Sequence, residues 1–203
     1  MYNANNTSGS YHRYVRKIAG EIINLSLNLN DGTIPERAFR KIQWYMVEAV
    51  IMGEMLARLA DRKITERDRE SLVYLGAIMA LFDIFADDFR YDNKRMMDIL
   101  DITFSRTFQD DAASEYAIEN VYHLYLGKLL HTIDPEHWGE IGKYLDIIKM
   151  QVESSMQYMN DAPEESVKKI TIGKGGVSVL IFSVFLRSEE LRVGKECRSR
   201  WSP

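Results

Sequence analysis

The feature that most constrains the fold is an apolar stretch from Leu72 to Ala86, in which Asp83 is the only charged residue. Projected at about 100° per residue, its side chains are apolar on every side of a helix. A helix of this kind is stable in water only when other elements surround it. The stretch therefore predicts a central buried helix inside a larger domain.

The remaining sequence favours further helices over strands. The 203 residues include only 12 Gly and 4 Pro, and each proline falls where an apolar run begins or after one ends. Apolar residues recur at helical spacing, and Thr65 with Asp68 forms a capping-box variant. We predict an all-α antiparallel bundle of about seven helices without a domain boundary. The predicted helices are 11–29, 35–60, 65–89, 93–108, 112–131, one from 135 through 159, and 164–186.

The two ends of the chain differ from this pattern. Residues 1–10 are expected to be disordered, and residues 11–186 form the single all-α domain. From Arg187 the sequence RSEELRVGKECRSRWSP is charged and aperiodic. Its composition fits a disordered tail, but it closely resembles the conceptual translation of a sequencing-adapter oligonucleotide. We therefore expect residues 187–203 to be a non-native tail and the domain to be truncated after Leu186.

Composition also bears on the partners and location of the protein. The 26 basic and 30 acidic residues give a formal charge of −4. No basic stripe is interleaved with aromatic residues, which argues against a nucleic-acid partner. Cys197 permits no internal disulfide, and no signal-peptide-like stretch precedes the first charges. The most apolar segment, Val177 to Leu186, has roughly half of the length that a membrane-spanning helix needs. We expect a cytoplasmic protein without a transmembrane segment.

Acidic residues cluster at the end of the predicted central helix. Asp83 and Asp87 are one turn apart, on one face with Gly76 and Ala80. We interpret this stripe as a cavity wall with two carboxylates at its rim. The carboxylates repel each other and oppose the helix dipole, so a cation must offset their charge. The cation is either a nearby basic side chain or Mg²⁺, which prefers oxygen ligands. The nearby basic residues are Arg90, Lys94 and Arg95.

The pattern Asp83-xxx-Asp87-Asp88-xxx-Asp92 resembles the first aspartate-rich motif of class I isoprenoid synthases. A second segment, Lys174-Gly-Gly on the seventh predicted helix, resembles the part of those enzymes that carries a lysine at a helix kink. The resemblance implies an incomplete isoprenoid-synthase-like fold in which the four aspartates bind Mg²⁺. It also implies that Lys174 contacts the diphosphate of an allylic prenyl substrate. Ionisation would be followed by condensation or cyclisation, the reactions of a prenyl transferase or a terpene synthase-like lyase.

The sequence also departs from that family. No glycine-arginine motif lies between the first two predicted helices, and only Lys94-Arg95 follows Asp92, which argues against chain elongation. The second metal motif would lie beyond Leu186. We therefore expect this chain to be inactive, and the uncovered apolar face of its last helix favours a homodimer. The alternative is a noncatalytic helical binding or regulatory module whose acidic helix end forms salt bridges.

Overall fold

The computed structural model describes residues 17–24, 26–105, 114–133 and 168. All regular structure in these residues is helical, which confirms the all-α prediction for this part of the chain. The predicted sixth and seventh helices lie outside the described residues, apart from Lys168, which is helical and exposed. The helices are α1 (17–27, residue 25 excepted), α2 (Glu36–Leu59), α3 (Glu66–Asp87), α4 (Asn93–Ser105) and α5 (Ala117–Thr132).

Helix α3 is the centre of the described structure. Every residue from Ser71 to Phe82 is buried, and so are Ile84 and Phe85, whereas Asp83 is partly exposed. Helices α2 and α5 both pack against α3. The prediction of a central buried helix is therefore confirmed, because an apolar surface on all sides requires cover on all sides. None of the described helices has the length and apolar character needed to cross a membrane.

Helix α2 runs antiparallel to α3. Near the end of α2, Glu54 Oε1 accepts a hydrogen bond of 2.8 Å from Arg69 Nε near the start of α3. The backbones approach closely at Gly76, where an added Cβ would lie 2.5 Å from the carbonyl oxygen of Tyr45 and 2.8 Å from Ala49 Cβ. The interpretation of the small-residue stripe as a cavity wall is therefore wrong at Gly76. The absent side chain there makes room for α2.

Helix α5 also runs antiparallel to α3. Arg67 Nε at the start of α3 donates to the carbonyl oxygen of Thr132, at 2.7 Å, at the end of α5. In the middle of the interface the rings of Phe82 and Tyr122 meet edge to face, with their centroids 5.4 Å apart. The hydroxyl of Tyr122 is hydrogen-bonded to Thr103 of α4. A buried tyrosine thus joins three helices without leaving its hydroxyl group unsatisfied.

The helix starts follow local polar contacts. Thr65 and Asp68 form the predicted capping box at the start of α3: Thr65 Oγ1 accepts from the Asp68 amide and Asp68 accepts from the Thr65 amide. The predicted helix from Ala112 is wrong at residues 114–116, because α5 begins at Ala117. The Asn120 side chain accepts a hydrogen bond from the Ser114 amide and donates one to its carbonyl oxygen. These bonds hold Ser114 outside the helix.

Candidate functional site

The C-terminal end of α3 directs Asp83 and Asp87 towards α2. Asp83 is partly exposed and accepts a hydrogen bond from the hydroxyl of Tyr45. Lys41 Nζ lies 3.6 Å from Asp87 Oδ2. Lys41 and Tyr45 are one turn apart on α2, just as Asp83 and Asp87 are one turn apart on α3. The structure therefore brings these two predicted ligands to the same surface of α2.

Asp88, the C-cap residue of α3, continues this arrangement. Its Oδ1 lies 3.1 Å from Arg37 Nη2, and Arg37 precedes Lys41 by one turn of α2. We call the resulting group of side chains the charged seam. The seam is open to solvent at one end, where the Asp87 and Arg37 side chains are each 72% exposed. Its members are Arg37, Lys41 and Tyr45 of α2 with Asp83, Asp87 and Asp88 of α3.

The fourth aspartate, Asp92, has a different partner in the structure. Its Oδ1 accepts a hydrogen bond of 2.8 Å from the Arg95 amide, and its carbonyl oxygen accepts one of 3.0 Å from the Met96 amide. Asp92 therefore caps the first turn of α4, where a carboxylate is favoured by the helix dipole. The predicted diphosphate ligand Lys174 lies outside the described residues.

The cations that pair with Asp87 and Asp88 come from α2. The sequence is compatible with two sources of cation, a metal ion or the basic residues Arg90, Lys94 and Arg95. The prediction that the Arg95 side chain pairs with Asp83 and Asp87 is wrong. Arg95 forms a salt bridge with Glu119 of α5.

The end of α3 is set by a turn at Arg90. Arg90 has a φ of 51°, in the left-handed region, and the Tyr91 amide donates to the carbonyl oxygen of Phe85 at 2.9 Å. This turn ends α3 directly after its carboxylates.

The pair of Arg95 and Glu119 is a second charged cluster. Glu119 is 3% exposed, and its Oε1 accepts a hydrogen bond of 2.8 Å from Arg95 Nε. Ser114 Oγ donates to Glu119 Oε2 at 2.6 Å. Burial opposes ionisation of Glu119, but the hydrogen bonds from Arg95 and Ser114 lower its pKa below the usual value. This cluster fastens α4 to α5.

Tyr45 differs from the other members of the seam because it carries no charge. Burial, together with the hydrogen bond to Asp83, raises its pKa well above the usual value for tyrosine. The phenol is therefore protonated at neutral pH and acts as the donor to the Asp83 carboxylate. A hydrogen bond of this kind restricts the orientation of the carboxylate that accepts it.

The carboxylates of the seam are the residues that would hold a metal ion, if one binds to the described part of the chain. Carboxylate oxygens are the donors that Mg²⁺ prefers. Across the described residues, no group of three or more His, Cys, Asp or Glu side chains is arranged to hold a metal ion. Mg²⁺ is commonly held by one or two carboxylates, with waters and substrate phosphates as its other ligands. Asp83 and Asp87 are the two carboxylates that would take that role.

The α2 side of the seam was not predicted from the sequence. The available signal was the spacing of Arg37, Lys41 and Tyr45, which recur every four residues and so share one face of α2. The spacing alone does not indicate which element that face contacts. The contact became evident only from the antiparallel packing of α2 on α3.

Comparisons with protein-family models, with curated proteins and with solved structures find no match to this chain.

Proposed function

We propose that this chain carries the diphosphate-binding part of a Mg²⁺-dependent enzyme of isoprenoid biosynthesis that acts on an allylic prenyl diphosphate. The observation that carries the proposal is the arrangement of Asp83 and Asp87, which lie one turn apart and face the same surface of α2. Asp83 is partly enclosed and Asp87 is 72% exposed. One carboxylate is thus oriented by the protein, while the other is accessible to a ligand from solvent.

In this proposal each aspartate has a distinct part. Asp83 and Asp87 are the principal metal ligands, and Asp88 supports them from the next position in the chain. Asp92 has at most a supporting part, because it caps α4. Tyr45 orients Asp83 through its hydrogen bond. Bound Mg²⁺ would neutralise charge on the diphosphate and so make it a better leaving group. Lys174 is proposed as a further contact to the diphosphate.

A second candidate function is a noncatalytic helical binding or regulatory module. The observation that favours it is the pairing of Asp87 with Lys41 and of Asp88 with Arg37. These pairs offset the repulsion between the carboxylates without a metal ion. In this candidate the seam only joins α2 to α3.

Isothermal titration of the chain with inorganic diphosphate, with and without Mg²⁺, separates the two candidates. The enzyme proposal predicts binding that requires Mg²⁺ and that weakens by at least about 10-fold in Asp83→Asn and Asp87→Asn, because each change removes a direct metal ligand and even the loss of an outer-shell partner costs about that much. Asp101→Asn, at an exposed position of α4, is the matched control and should bind as the wild type does. Binding that is absent, or that does not depend on Mg²⁺, supports the noncatalytic module and contradicts the enzyme proposal.

A further inference from the structure

The side of α2 that points away from α3 carries large apolar side chains. Trp44 is 60% exposed, Met55 is 55% exposed and Leu59 is 83% exposed. Ile51, which is partly exposed, lies between them along the helix. At about 100° per residue these four side chains fall within about 80° of the helix surface. We call this face the outer stripe, and its members are Trp44, Glu48, Ile51, Met55 and Leu59.

The outer stripe makes α2 apolar on two opposite sides. Its inner side packs against α3. A helix with apolar side chains on opposite sides is stable when it lies between two layers. The described residues leave the outer stripe open, and an open apolar patch of this kind favours contact with another element. Glu48 is the only charged residue within the stripe, so the element that covers it should offer a cation at one matching position.

Two predicted helices lie outside the described residues, and the nearer one in sequence is poorly placed to cover the stripe. The predicted helix of residues 135–159 begins directly after α5, which ends at Thr132. A connection this short keeps two helices side by side, so this helix belongs next to α5. The predicted helix of residues 164–186 is free of that restriction, because about 30 residues separate it from α5. Lys168, within it, is helical.

The sequence of residues 164–186 repeats the spacing of the outer stripe. Members of the stripe follow one another at intervals of 4, 3, 4 and 4 residues. The same intervals, counted from Ile170, reach four apolar residues and one lysine. The charged residue takes the second place in both series, Glu48 in the stripe and Lys174 in the segment. The matching residues are Ile170, Lys174, Val177, Ile181 and Phe185.

The directions of the helices agree with this match. Both α2 and α5 are antiparallel to α3, so they are parallel to each other. Successive helices joined by short loops run antiparallel. Residues 135–159 are therefore expected to run against α5, and residues 164–186 to run in the direction of α2. When two parallel helices pack side by side, residues at equal intervals lie opposite each other.

We propose that residues 164–186 of the same chain dock on the outer stripe as a helix parallel to α2, with Lys174 opposite Glu48. Val177 then lies opposite Ile51, and the apolar contacts along the stripe provide most of the favourable free energy. The ion pair contributes less and selects the register. This inference does not depend on the proposed function.

Disulfide cross-linking tests which residues face each other. In a chain with Cys197→Ser, the pair Met55→Cys and Ile181→Cys should form a disulfide within the chain on mild oxidation, seen as faster migration on a non-reducing gel. A disulfide needs Cα atoms about 4.4–6.8 Å apart, so it reports direct opposition. The matched control is Met55→Cys with Ser183→Cys, because position 183 lies on nearly the other side of the helix. It should close at least about tenfold more slowly.

An exchange of charges tests the register independently. Glu48→Lys and Lys174→Glu should each lower the equilibrium constant for folding about two- to fivefold, and the double variant should recover most of the loss. Asp101→Lys combined with Lys174→Glu is the matched control. Asp101 is exposed on α4, so this combination should give no recovery.

The outcomes separate docking within the chain from other occupants of the stripe. Fast closure of the Met55 and Ile181 pair, slow closure of the control and recovery in the charge exchange support the inference. A disulfide that forms only between chains would assign the stripe to a second copy and overturn it. Equal rates for the two pairs, or closure of neither, would overturn it as well. Leu59→Cys with Phe185→Cys repeats the test if the first pair fails to give the wild-type circular dichroism spectrum.

Discussion

The close approach of α2 and α3 predicts that Gly76→Ala destabilises the protein, although alanine is the better helix former. The new Cβ would lie 2.5 Å from the carbonyl oxygen of Tyr45 and 2.8 Å from Ala49 Cβ. Ordinary contacts between such atoms are about 3.5 Å or longer. The obstructing oxygen belongs to the backbone and cannot rotate away, so the two helices must separate by roughly 1 Å.

The magnitude follows from two opposing effects. Alanine gains about 1 kcal/mol over glycine in a helix interior. Overpacking a well-filled core costs about 1–3 kcal/mol and occasionally more. The cost at Gly76 belongs at or above the upper end of that range, because the collision involves the helix backbone and loosens the whole contact between α2 and α3. We therefore expect a net loss of about 2 kcal/mol in the free energy of unfolding.

Urea unfolding followed by far-UV circular dichroism measures this loss, and two other glycines serve as controls. At Gly20 of α1 nothing lies within 4 Å of an added Cβ, so Gly20→Ala should stabilise by about 1 kcal/mol. At Gly53 the added atom would meet only the side chain of Leu72 among its three nearest neighbours. Gly53→Ala should therefore cost less than Gly76→Ala. Equal or greater stability of Gly76→Ala would refute the backbone contact.

Three further variants test individual contacts. Tyr45→Phe removes the donor to Asp83 and should cost about 1 kcal/mol in urea unfolding, with weaker Mg²⁺-dependent diphosphate binding. Thr65→Ala removes the cap of α3 and should cost about 1 kcal/mol, with an unchanged denaturant slope as the check on its local effect. Glu119→Gln should cost about 1–3 kcal/mol at neutral pH. Because folding lowers the pKa of Glu119, its stabilising contribution is present above the usual pKa of 4.5 and is lost as pH falls through the folded pKa. A difference in unfolding free energy between wild type and Glu119→Gln that does not change with pH would argue against an ionised pair.

The central helix was predictable because its signals are local. The stretch from Leu72 to Ala86 has a single charged residue, so a helix over it is apolar on all sides and must be covered on all sides. The capping box of Thr65 and Asp68 was predictable for the same reason, since both residues lie within one turn. Patterns of this kind depend on the helix itself and not on what packs against it.

The partners of the carboxylates were not predictable, because they depend on how two helices meet. The pairing of Lys41 with Asp87 requires that α2 be antiparallel to α3 and in one particular register. That register is linked to the contact at Gly76, which the sequence suggested was a cavity wall. The pair of Arg95 and Glu119 depends in the same way on the packing of α4 and α5. Contacts across helices need the tertiary structure.

The most direct test of the proposed function is the position of a bound metal ion. Crystals of the chain grown with Mn²⁺ and inorganic diphosphate should show an anomalous scattering peak about 2.1 Å from carboxylate oxygens of both Asp83 and Asp87. The diphosphate should lie against the same ion. A map without a metal peak at the end of α3, in which Lys41 remains paired with Asp87 and Arg37 with Asp88, would contradict the account.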